Sequence, residues 1–226
     1  MGFLYRMMLV ILALLLPARA YGQEAGLLQS RQNLQPSLVR IAAFSVRASG
    51  QKKVLLGEQQ GNGIIIDASG VIVTNTHIIA GREHVLVTLW DGTTLDASLL
   101  YVGEADFSFL KITPPRPLKA IARADFARIK PRDPVIAMLH TQGVATGTIV
   151  RLMHEWESTG IDMLELELGL HPGDSGGPVF SQEGSLLGLI MGQQKSDTGI
   201  SYAISSWKIW KEYEKYNGSI LVGAEN

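Results

Sequence analysis

A serine flanked by glycines is the residue of this chain best suited to act as a nucleophile. Ser175 lies in the run Gly-Asp-Ser-Gly-Gly-Pro at 173–178. A hydroxyl is a poor nucleophile at neutral pH unless a base takes its proton. Glycines allow the chain to turn sharply and to direct successive N–H groups into one concavity, as an oxyanion hole requires. The alternative is a tight turn between two strands, because Gly, Asp, Ser and Pro are all turn residues.

A histidine at the end of an apolar strand could supply the base. His77 follows the run Val-Ile-Val-Thr-Asn-Thr at 71–76, and small residues come soon after it. A side chain held at the end of a buried strand has a fixed position, which proton transfer to a neighbouring hydroxyl demands. The histidines at 84, 140 and 154 lie in exposed or loop-like contexts, where a structural or surface role is the usual one. We therefore select His77 as the base.

An aspartate at the start of another apolar strand could orient that base. Asp106 lies between Ala105 and the run Phe-Ser-Phe-Leu-Lys-Ile at 107–112. A carboxylate in such a setting is costly unless it has a partner, and a hydrogen bond from an imidazole would offset that cost. The other aspartates considered lie in turn-like, polar or solvent-facing contexts. They are Asp67, Asp91, Asp96, Asp125, Asp133 and Asp197.

Composition excludes several classes of function. The chain has 226 residues, of which 46% are hydrophobic and 18% are charged, as in an ordinary globular protein. It has no cysteine, which rules out a cysteine nucleophile and a thiolate metal site. No basic stripe points to a nucleic-acid partner. We expect no metal and no organic cofactor, and nothing in the sequence indicates the oligomeric state.

The first 20 residues are typical of a secretory signal peptide. Arg6 gives a basic start, residues 7–16 form an unbroken apolar run, and Ala-Arg-Ala at 18–20 fits a cleavage site. The alternative is an uncleaved membrane anchor, but the ten-residue run is short of the ~20 residues of a spanning helix. The interpretation is therefore an exported protein, periplasmic or secreted, with no integral membrane span after cleavage. Removal of Arg6 and Arg19 leaves 18 basic and 21 acidic residues.

Two series of short strands follow a flexible lead-in at 21–35. Strand-like runs separated by Gly, Asp, Asn and Pro turns are typical of an all-β barrel or sandwich. Runs in the first half fall near 38–44, 64–66, 71–75, 84–90, 99–102 and 107–112, and runs in the second near 135–139, 147–153, 163–168, 179–180, 186–191 and 200–204. Prolines at 114, 115 and 117 cannot lie inside a sheet. We place the N-terminal β domain at 36–118 and the C-terminal β domain at 119–206.

The remaining segment, 207–226, predicts a C-terminal helix and tail. Trp207, Ile209, Trp210 and Tyr213 recur at helical spacing, with Ser206 as the N-cap and Gly218 as the stop. We expect the aromatic residues to pack against the second β half. The alternative is a helix lying on a membrane surface, because Trp together with Lys also suits that role.

Three motifs in order give the chain a family resemblance. Thr-Asn-Thr-His at 74–77, the run that begins at Asp106, and the motif around Ser175 resemble the three motifs of trypsin-like serine peptidases. The hairpin at 61–67 and the segment Gly-Ile-Ser-Tyr-Ala-Ile at 199–204 are similar to the Deg/HtrA branch. The resemblance extends from about residue 36 to 207. It implies two six-stranded antiparallel β-barrels with the site in the cleft between them, ahead of the C-terminal helix that the tail predicts.

The resemblance also implies the roles of individual residues. It assigns His77 as base, Asp106 as its orienter and Ser175 as nucleophile, with the N–H groups of Gly173 and Ser175 as the oxyanion hole. It places the primary substrate pocket just before the nucleophile, at Gly169, Leu170, His171 and Pro172. A glycine at 169 stands where preference for Lys or Arg would need an aspartate. We therefore expect small or medium aliphatic residues at the cleaved position of a polypeptide substrate.

The chain departs from that branch in two respects. Deg/HtrA proteins usually continue into PDZ domains, for which this sequence has no room, so their oligomeric cage and peptide-triggered activation do not carry over from the resemblance. The branch often has Asn before the nucleophile, whereas this chain has Asp174. In the trypsin branch, that Asp pairs with a new N-terminal ammonium. We see no start near residue 21 that would supply one and expect Asp174 to be satisfied locally.

The leading hypothesis is an exported serine endopeptidase that hydrolyses peptide bonds through an acyl-enzyme. A second hypothesis is a catalytically silent binding or chaperone-like module on the same fold, because fold does not guarantee activity. A third is an esterase that uses the same triad. Labelling by a fluorophosphonate would separate the second from the other two, and a peptide library would separate the first from the third.

Overall fold

The computed structural model describes residues 32–49, 52–139, 143–153, 162–193 and 199–223. The chain divides into two compact units, Met1–Gln35 and Pro36–Asn226. The signal peptide predicted at 1–20 and the lead-in up to residue 31 lie outside the described residues. Within the described ranges, no helix is both long enough and apolar enough to cross a membrane.

The first half of the larger unit forms a seven-stranded antiparallel sheet. Its strands are β1 (Leu38–Ser49), β2 (Lys52–Asp67), β3 (Val71–Thr74), β4 (His84–Leu89), β5 (Thr94–Asp96), β6 (Ser98–Val102) and β7 (Ser108–Lys111). Their order across the sheet is β5-β4-β1-β2-β3-β7-β6. Strand β3 therefore lies between β2 and β7, which brings the ends of three strands close together.

The second half forms a closed six-stranded barrel. Its strands are β8 (Pro134–Leu139), β9 (Gly143–Met153), β10 (Met163–Glu167), β11 (Pro178–Phe180), β12 (Leu186–Gln193) and β13 (Ile200–Ser205). They close in the order β10-β13-β12-β11-β8-β9. Single turns of 3-10 helix occupy Gln35–Ser37 and Phe126–Arg128.

The predicted all-β class with a C-terminal helix is confirmed, and the second half is a closed six-stranded barrel as expected. The first half departs from the expected six-stranded barrel: it is a seven-stranded sheet, because the short strand β5 pairs with β4 before the chain leaves that pairing at Ala97, whose N–H donates to the carbonyl of Val85 at 2.9 Å. Strands β1 and β2 also extend well beyond the apolar runs that marked them. The polar residues at 57–60 and the register shift between Ala43 and Ser45 interrupt the alternation of apolar and polar residues, so hydrophobic periodicity does not predict the extension.

Each sheet has its own apolar core. In the first, Ile41, Ile65, Ile72 and Leu110 are fully buried together. In the second, Ala137, Leu164, Val179 and Ala203 form the centre of the barrel. Branched and small side chains dominate both cores, as expected where strand faces pack closely. The cores fix the strands, and the connections at the strand ends carry the candidate site residues His77, Asp106 and Ser175.

Two helices complete the larger unit. Helix α1 (Thr76–Ile79) is a single turn after β3, and α2 (Ser206–Gly223) follows the barrel. The Oγ of Ser205 accepts the N–H of Lys208 at 3.2 Å, so Ser205 rather than Ser206 caps α2. The helix continues past Gly218, so the predicted stop was wrong: the apolar residues from Ile220 onward belong to the same helix.

The aromatic face of α2 contacts the first sheet. The ring of Tyr213 meets Phe109 edge-on at 5.4 Å between centroids, and Tyr216 lies 5.7 Å from Tyr101. The expectation that the aromatic residues pack against the second β half was therefore wrong for Tyr213, although α2 does pack on strands β12 and β13 of that half. The Oγ of Ser206 donates to the carbonyl of Leu186 at 2.5 Å, which fixes the start of α2 on the barrel while its later turns reach the first sheet.

Candidate active site

The end of β3 presents His77. All four residues of β3 are buried, and the chain then turns through Asn75 into the single turn α1. The side chain of His77 remains 41% exposed, so its ring borders solvent while its backbone is anchored by a core strand. Of the other histidines, His84 is exposed and stacks on Phe44 at 5.3 Å, and His140 and His154 lie outside the described residues.

Both carboxylate oxygens of Asp106 bind His77. Oδ2 lies 2.6 Å from Nδ1 of the ring, and Oδ1 accepts the backbone N–H of the same residue at 3.0 Å. The carboxylate therefore holds the ring and the backbone of the histidine together, which fixes the direction in which the ring points. The side chain of Asp106 is 27% exposed.

Two polar side chains hold the loop of Asp106 against the end of β3. Nδ2 of Asn75 donates to the backbone carbonyl of Asp106 at 2.8 Å. The hydroxyls of Thr76 and Ser108 are 2.8 Å apart, next to the pairing of Thr74 with Ser108 between β3 and β7. The three residues of the motif Asn-Thr-His thus act together: Asn75 and Thr76 hold the neighbouring segment, and His77 binds the carboxylate.

The carboxylate determines the proton position on the ring. An ionised carboxylate only accepts hydrogen bonds, so Nδ1 of His77 carries the proton and Nε2 of the neutral ring is left as the basic atom. The hydrogen bond that His77 donates to Asp106 raises the pKa of His77 above its ordinary 6.5, burial opposes this increase, and the charge of Asp106 adds to it. The imidazole is therefore a stronger base than it would be alone.

The loop that carries Ser175 depends on glycine at two positions. Gly173 and Gly176 have φ values of +98° and +77°, a region that disfavours any residue with a Cβ. A Cβ at Gly176 would lie 2.1 Å from the carbonyl oxygen of Asn62. The N–H groups of Gly176 and Gly177 donate within the barrel, to Ile190 and Asp174, each at 3.0 Å. The run at 173–178, which contains Ser175, is therefore a close-packed turn.

Asn62 of β2 holds this loop, a role that no motif in its local sequence indicates. Its Nδ2 lies 3.1 Å from the carbonyl oxygens of both Gly173 and Ser175, and its backbone N–H donates to the carbonyl of Ser175 at 3.2 Å. The hydroxyl of Thr74 donates to the carbonyl of Asn62 at 2.8 Å. A chain of hydrogen bonds thus runs from the serine loop through β2 to the strand that ends at His77.

Two N–H groups of the loop remain open. Among the described residues, neither Gly173 nor Ser175 donates its backbone N–H to a protein acceptor, whereas Asp174, Gly176 and Gly177 all do. The two open donors are those that the sequence resemblance assigned to an oxyanion hole. Free N–H groups fixed by a rigid turn are suited to stabilise a developing negative charge without rearrangement.

Asp174 is buried beside these donors. Only 1% of the residue is exposed, and its Oδ2 accepts the N–H of His171 at 2.8 Å. Its own N–H donates to the carbonyl of His171 at 3.1 Å. The expectation that a backbone N–H satisfies this carboxylate locally agrees with the structure. The contact fixes the spacing between the residues before the serine and the serine itself.

A pocket opens next to Ser175. It has a volume of about 590 Å³ and is lined by the four predicted residues Gly169, Leu170, His171 and Pro172, with Asp174, Ser175, Ile190 and Gly192. Leu170 and Ile190 give it apolar walls, and both are almost fully buried. Sequence reasoning missed Ile190 and Gly192, because they come from the partner strand β12 rather than from the segment before the serine.

Residues 61–189 match the trypsin-like peptidase domain, which is more than half of the chain. The chain belongs to the trypsin-like peptidase family. Residues His77, Asp106 and Ser175 all fall in the matched region. The predicted resemblance to the Deg/HtrA branch is also confirmed by the named relatives.

These relatives are serine proteases of the HtrA and Deg type. The chain is 29% identical over 188 residues to serine protease HTRA1B of Danio rerio, which covers 79% of this chain and 38% of the relative. It is 32% identical over 156 residues to the putative serine protease HhoA of Synechocystis, covering 64% and 40%. It is 30% identical over 158 residues to a probable periplasmic serine endoprotease DegP-like of Brucella suis, covering 65% and 31%. The chain thus spans 31% to 40% of the length of these relatives.

One solved structure has the same fold. An AlgW variant described as an HtrA-type protease with a decapeptide superposes with a TM-score of 0.66 at 22% identity. The match covers 79% of this chain and 62% of that chain. At this level of identity the likeness concerns the fold alone.

Proposed function

We propose that this chain is a serine endopeptidase in which Ser175 is the nucleophile, His77 the general base and Asp106 its orienter. The observation that carries the proposal is the double hydrogen bond from His77 to Asp106, on a strand end linked through Asn62 to the serine loop. Family membership supports the same reaction class. A polypeptide is the substrate, and the chemistry needs no metal or organic cofactor.

The proposed reaction has two halves. Nε2 of His77 takes the proton of the Ser175 hydroxyl as its oxygen attacks the peptide carbonyl, and the resulting oxyanion binds the N–H groups of Gly173 and Ser175. His77 then gives the proton to the leaving amine, and an acyl-enzyme on Ser175 remains. Water, deprotonated by His77, attacks the acyl group in the second half and releases the acid and the free serine.

Replacing the nucleophile tests the assignment. In Ser175→Ala we expect no fluorophosphonate labelling and a loss of casein cleavage by several orders of magnitude, with unchanged thermal unfolding. Ser185→Ala, in the turn between β11 and β12, is the matched control and should label normally. Persistent labelling of Ser175→Ala, or casein cleavage at the rate of the unsubstituted protein, would refute the role of Ser175. An unsubstituted protein that never labels would instead support a silent binding module.

The pocket supports a preference for small or medium aliphatic residues at the cleaved position. Its apolar walls are Leu170 and Ile190, and its one carboxylate among the described lining residues, Asp174, is buried and already bound to the N–H of His171. Without a free carboxylate, the pocket has nothing to offset the desolvation of Lys or Arg. A peptide library should therefore show cleavage after Ala, Val, Ile or Leu, and predominant cleavage after Arg would contradict this assignment.

A variant of the pocket sharpens that test. A Cβ added at Gly192 meets no atom within 4 Å, and its φ is not in the left-handed region. Gly192→Ala should therefore keep the stability of the protein while its methyl group reduces the space in the pocket. We expect the preference to move from the larger aliphatic residues toward Ala. An unchanged preference would mean that the cleaved residue binds elsewhere.

We further propose that residues 1–20 direct export, to the periplasm or the exterior, and are then removed. The sequence pattern supports this, and one relative is named as periplasmic. N-terminal sequencing of protein recovered from the exported fraction should begin at Tyr21. Recovery of the protein only in the membrane fraction with residues 1–20 attached would favour the anchor.

A further inference from the structure

The C-terminal helix places a buried carboxylate against the loop that carries Asp106. Glu212 of α2 is only 6% exposed. Its Oε2 accepts the backbone N–H of Glu104 at 3.1 Å and the hydroxyl of Tyr101 at 3.0 Å. Its Oε1 is buried and, among the described residues, has no hydrogen-bond partner. A buried carboxylate with only half of its oxygens satisfied is costly, so its presence calls for a reason.

The contact with Glu104 lies two residues before Asp106 in a tight loop. The N–H of Gly103 donates to the carbonyl of Phe107 at 2.8 Å, and the N–H of Phe107 donates to the carbonyl of Ala105 at 2.7 Å. The ring of Phe107 fills the space beside Gly103, where a Cβ would lie 2.5 Å from Cζ. The loop from 103 to 107 therefore moves as a unit.

That unit is held from two sides. Glu212 holds it at the N–H of Glu104, and Asn75 holds it at the carbonyl of Asp106. Asn75 belongs to the same strand end as His77, whereas Glu212 comes from a helix 108 residues further along the chain. Loss of either contact leaves one end of the loop free to shift relative to His77.

We propose that Glu212 is a positioning residue: through the N–H of Glu104 it holds the loop of Asp106 where the carboxylate can bind both the ring and the backbone of His77. The inference rests on the proposed function for its effect on peptide hydrolysis. Its effect on His77 itself does not require that function. The pKa of Tyr101 is raised by burial, and its hydrogen bond to Glu212 adds to the increase.

The two hydrogen bonds of Glu212 can be separated by substitution. Glu212→Met keeps the length and packing of the side chain but accepts no strong hydrogen bond, so the loop loses its anchor. Glu212→Gln keeps a carbonyl oxygen that can accept from the N–H of Glu104. Tyr101→Phe removes only the hydroxyl contact and keeps the stacking of the ring on Phe109 at 5.5 Å, which makes it the matched control.

Two measurements test the proposal. In the Ser175→Ala background, nitrogen NMR of the imidazole gives the pKa of His77 without any need for activity. We expect Glu212→Met to lower that pKa toward 6.5, because the hydrogen bond from His77 to Asp106 is the main cause that raises it. In the protein with Ser175 intact, we expect Glu212→Met to lower kcat about 10- to 100-fold with little change in KM, as for a displaced catalytic group. Glu212→Gln should restore most of kcat, and Tyr101→Phe should leave it unchanged.

The outcomes separate this proposal from the proposed function. A folded Glu212→Met protein with the pKa of the parent would overturn the positioning role, and so would a Tyr101→Phe protein with the same loss of kcat as Glu212→Met. If Glu212→Met does not fold, Glu212→Asp retracts the acceptor by one methylene and should also lower the pKa of His77; no change there would likewise overturn the proposal. A lowered pKa in a protein that hydrolyses no peptide would support the positioning role and contradict the peptidase assignment.

Discussion

Asn62 offers the sharpest test of how the two β units assemble the site. Its side-chain amide donates to the carbonyl oxygens of Gly173 and Ser175, both at 3.1 Å, while its backbone N–H independently binds the carbonyl of Ser175. Asn62→Ala removes the two side-chain contacts and leaves the backbone contact in place. Asn62→Asp keeps the shape of the side chain but replaces its donors with a charge facing two carbonyl oxygens.

The expected magnitude follows from those contacts. Hydrogen bonds of this kind contribute about 1 kcal/mol each, so Asn62→Ala should lose about 2 kcal/mol. If the transition state loses the whole of this stabilisation relative to the free enzyme and substrate, kcat/KM falls about 30-fold. The same loss lowers Tm by roughly 4–8 °C for a domain of this size. Asn62→Asp should lose more in both quantities, because a buried anion without donors adds a desolvation cost.

The assay compares kcat/KM on a peptide substrate and Tm by circular dichroism. Gln60→Ala is the matched control: Gln60 is exposed on the same strand, and within the described part of the chain its side chain bonds only to the exposed Glu58. We expect Gln60→Ala to behave as the unsubstituted protein. The reasoning would be refuted if Asn62→Ala and Asn62→Asp were indistinguishable from Gln60→Ala in both measurements, since the two carbonyl contacts would then contribute nothing to the loop.

Two further predictions concern carboxylates of the site. Asp106→Asn removes the group that raises the pKa of His77. The acid limb of the pH profile, which requires the neutral imidazole, should therefore shift to lower pH, and kcat should fall ~10⁴-fold because the ring loses its fixed tautomer. An acid limb at an unchanged pH would show that another group controls it. Asp174→Asn should retain most of kcat/KM, because an amide oxygen can still accept the N–H of His171, and proteins that start at different positions between Tyr21 and Leu34 should be equally active. Loss of activity in Asp174→Asn, with activity in only one of those N-terminal forms, would instead indicate control by an N-terminal ammonium.

The fold class was predictable from the sequence because turn residues recur at short, regular intervals. The second barrel matches the predicted strands one for one, since each apolar run is bounded by Gly, Asp or Pro. The first sheet was less predictable. The pairing of β1 with β2 continues past the polar residues at 57–60 as far as Ser49 and Lys52. The apolar side chains in that extension, Val54, Leu55 and Leu56, are exposed, so the strand there is defined by backbone pairing rather than by burial. The end of the pairing between β5 and β4 at Ala97 does not alter the hydrophobic periodicity of the sequence.

The pairing of His77 with Asp106 was predictable, because a carboxylate at the start of an apolar strand is costly without a partner. Ser175 was recognisable from the glycines of its turn, two of which have positive φ values. The residues that position them could not be recognised in the same way. Asn62 bonds to residues 111 and 113 positions away, and Glu212 to one 108 positions away. Both act on backbone groups of the target loop, which have no residue type to recognise. These contacts arise only because of the pairing register of β2 and the direction of α2 in the fold, and local sequence predicts neither of them.

These contacts reveal a reciprocal arrangement between the two β units. Asn62, from the first sheet, holds the loop of Ser175, which belongs to the second barrel. Glu212, from the helix that follows the second barrel, holds the loop of Asp106, which belongs to the first sheet. Each half therefore holds a loop of the other, in addition to the contacts that the loop makes within its own half. Since both contacts cross between the units, any movement that separates them frees both loops together. The geometry of the site is consequently a property of the docked units rather than of either sheet.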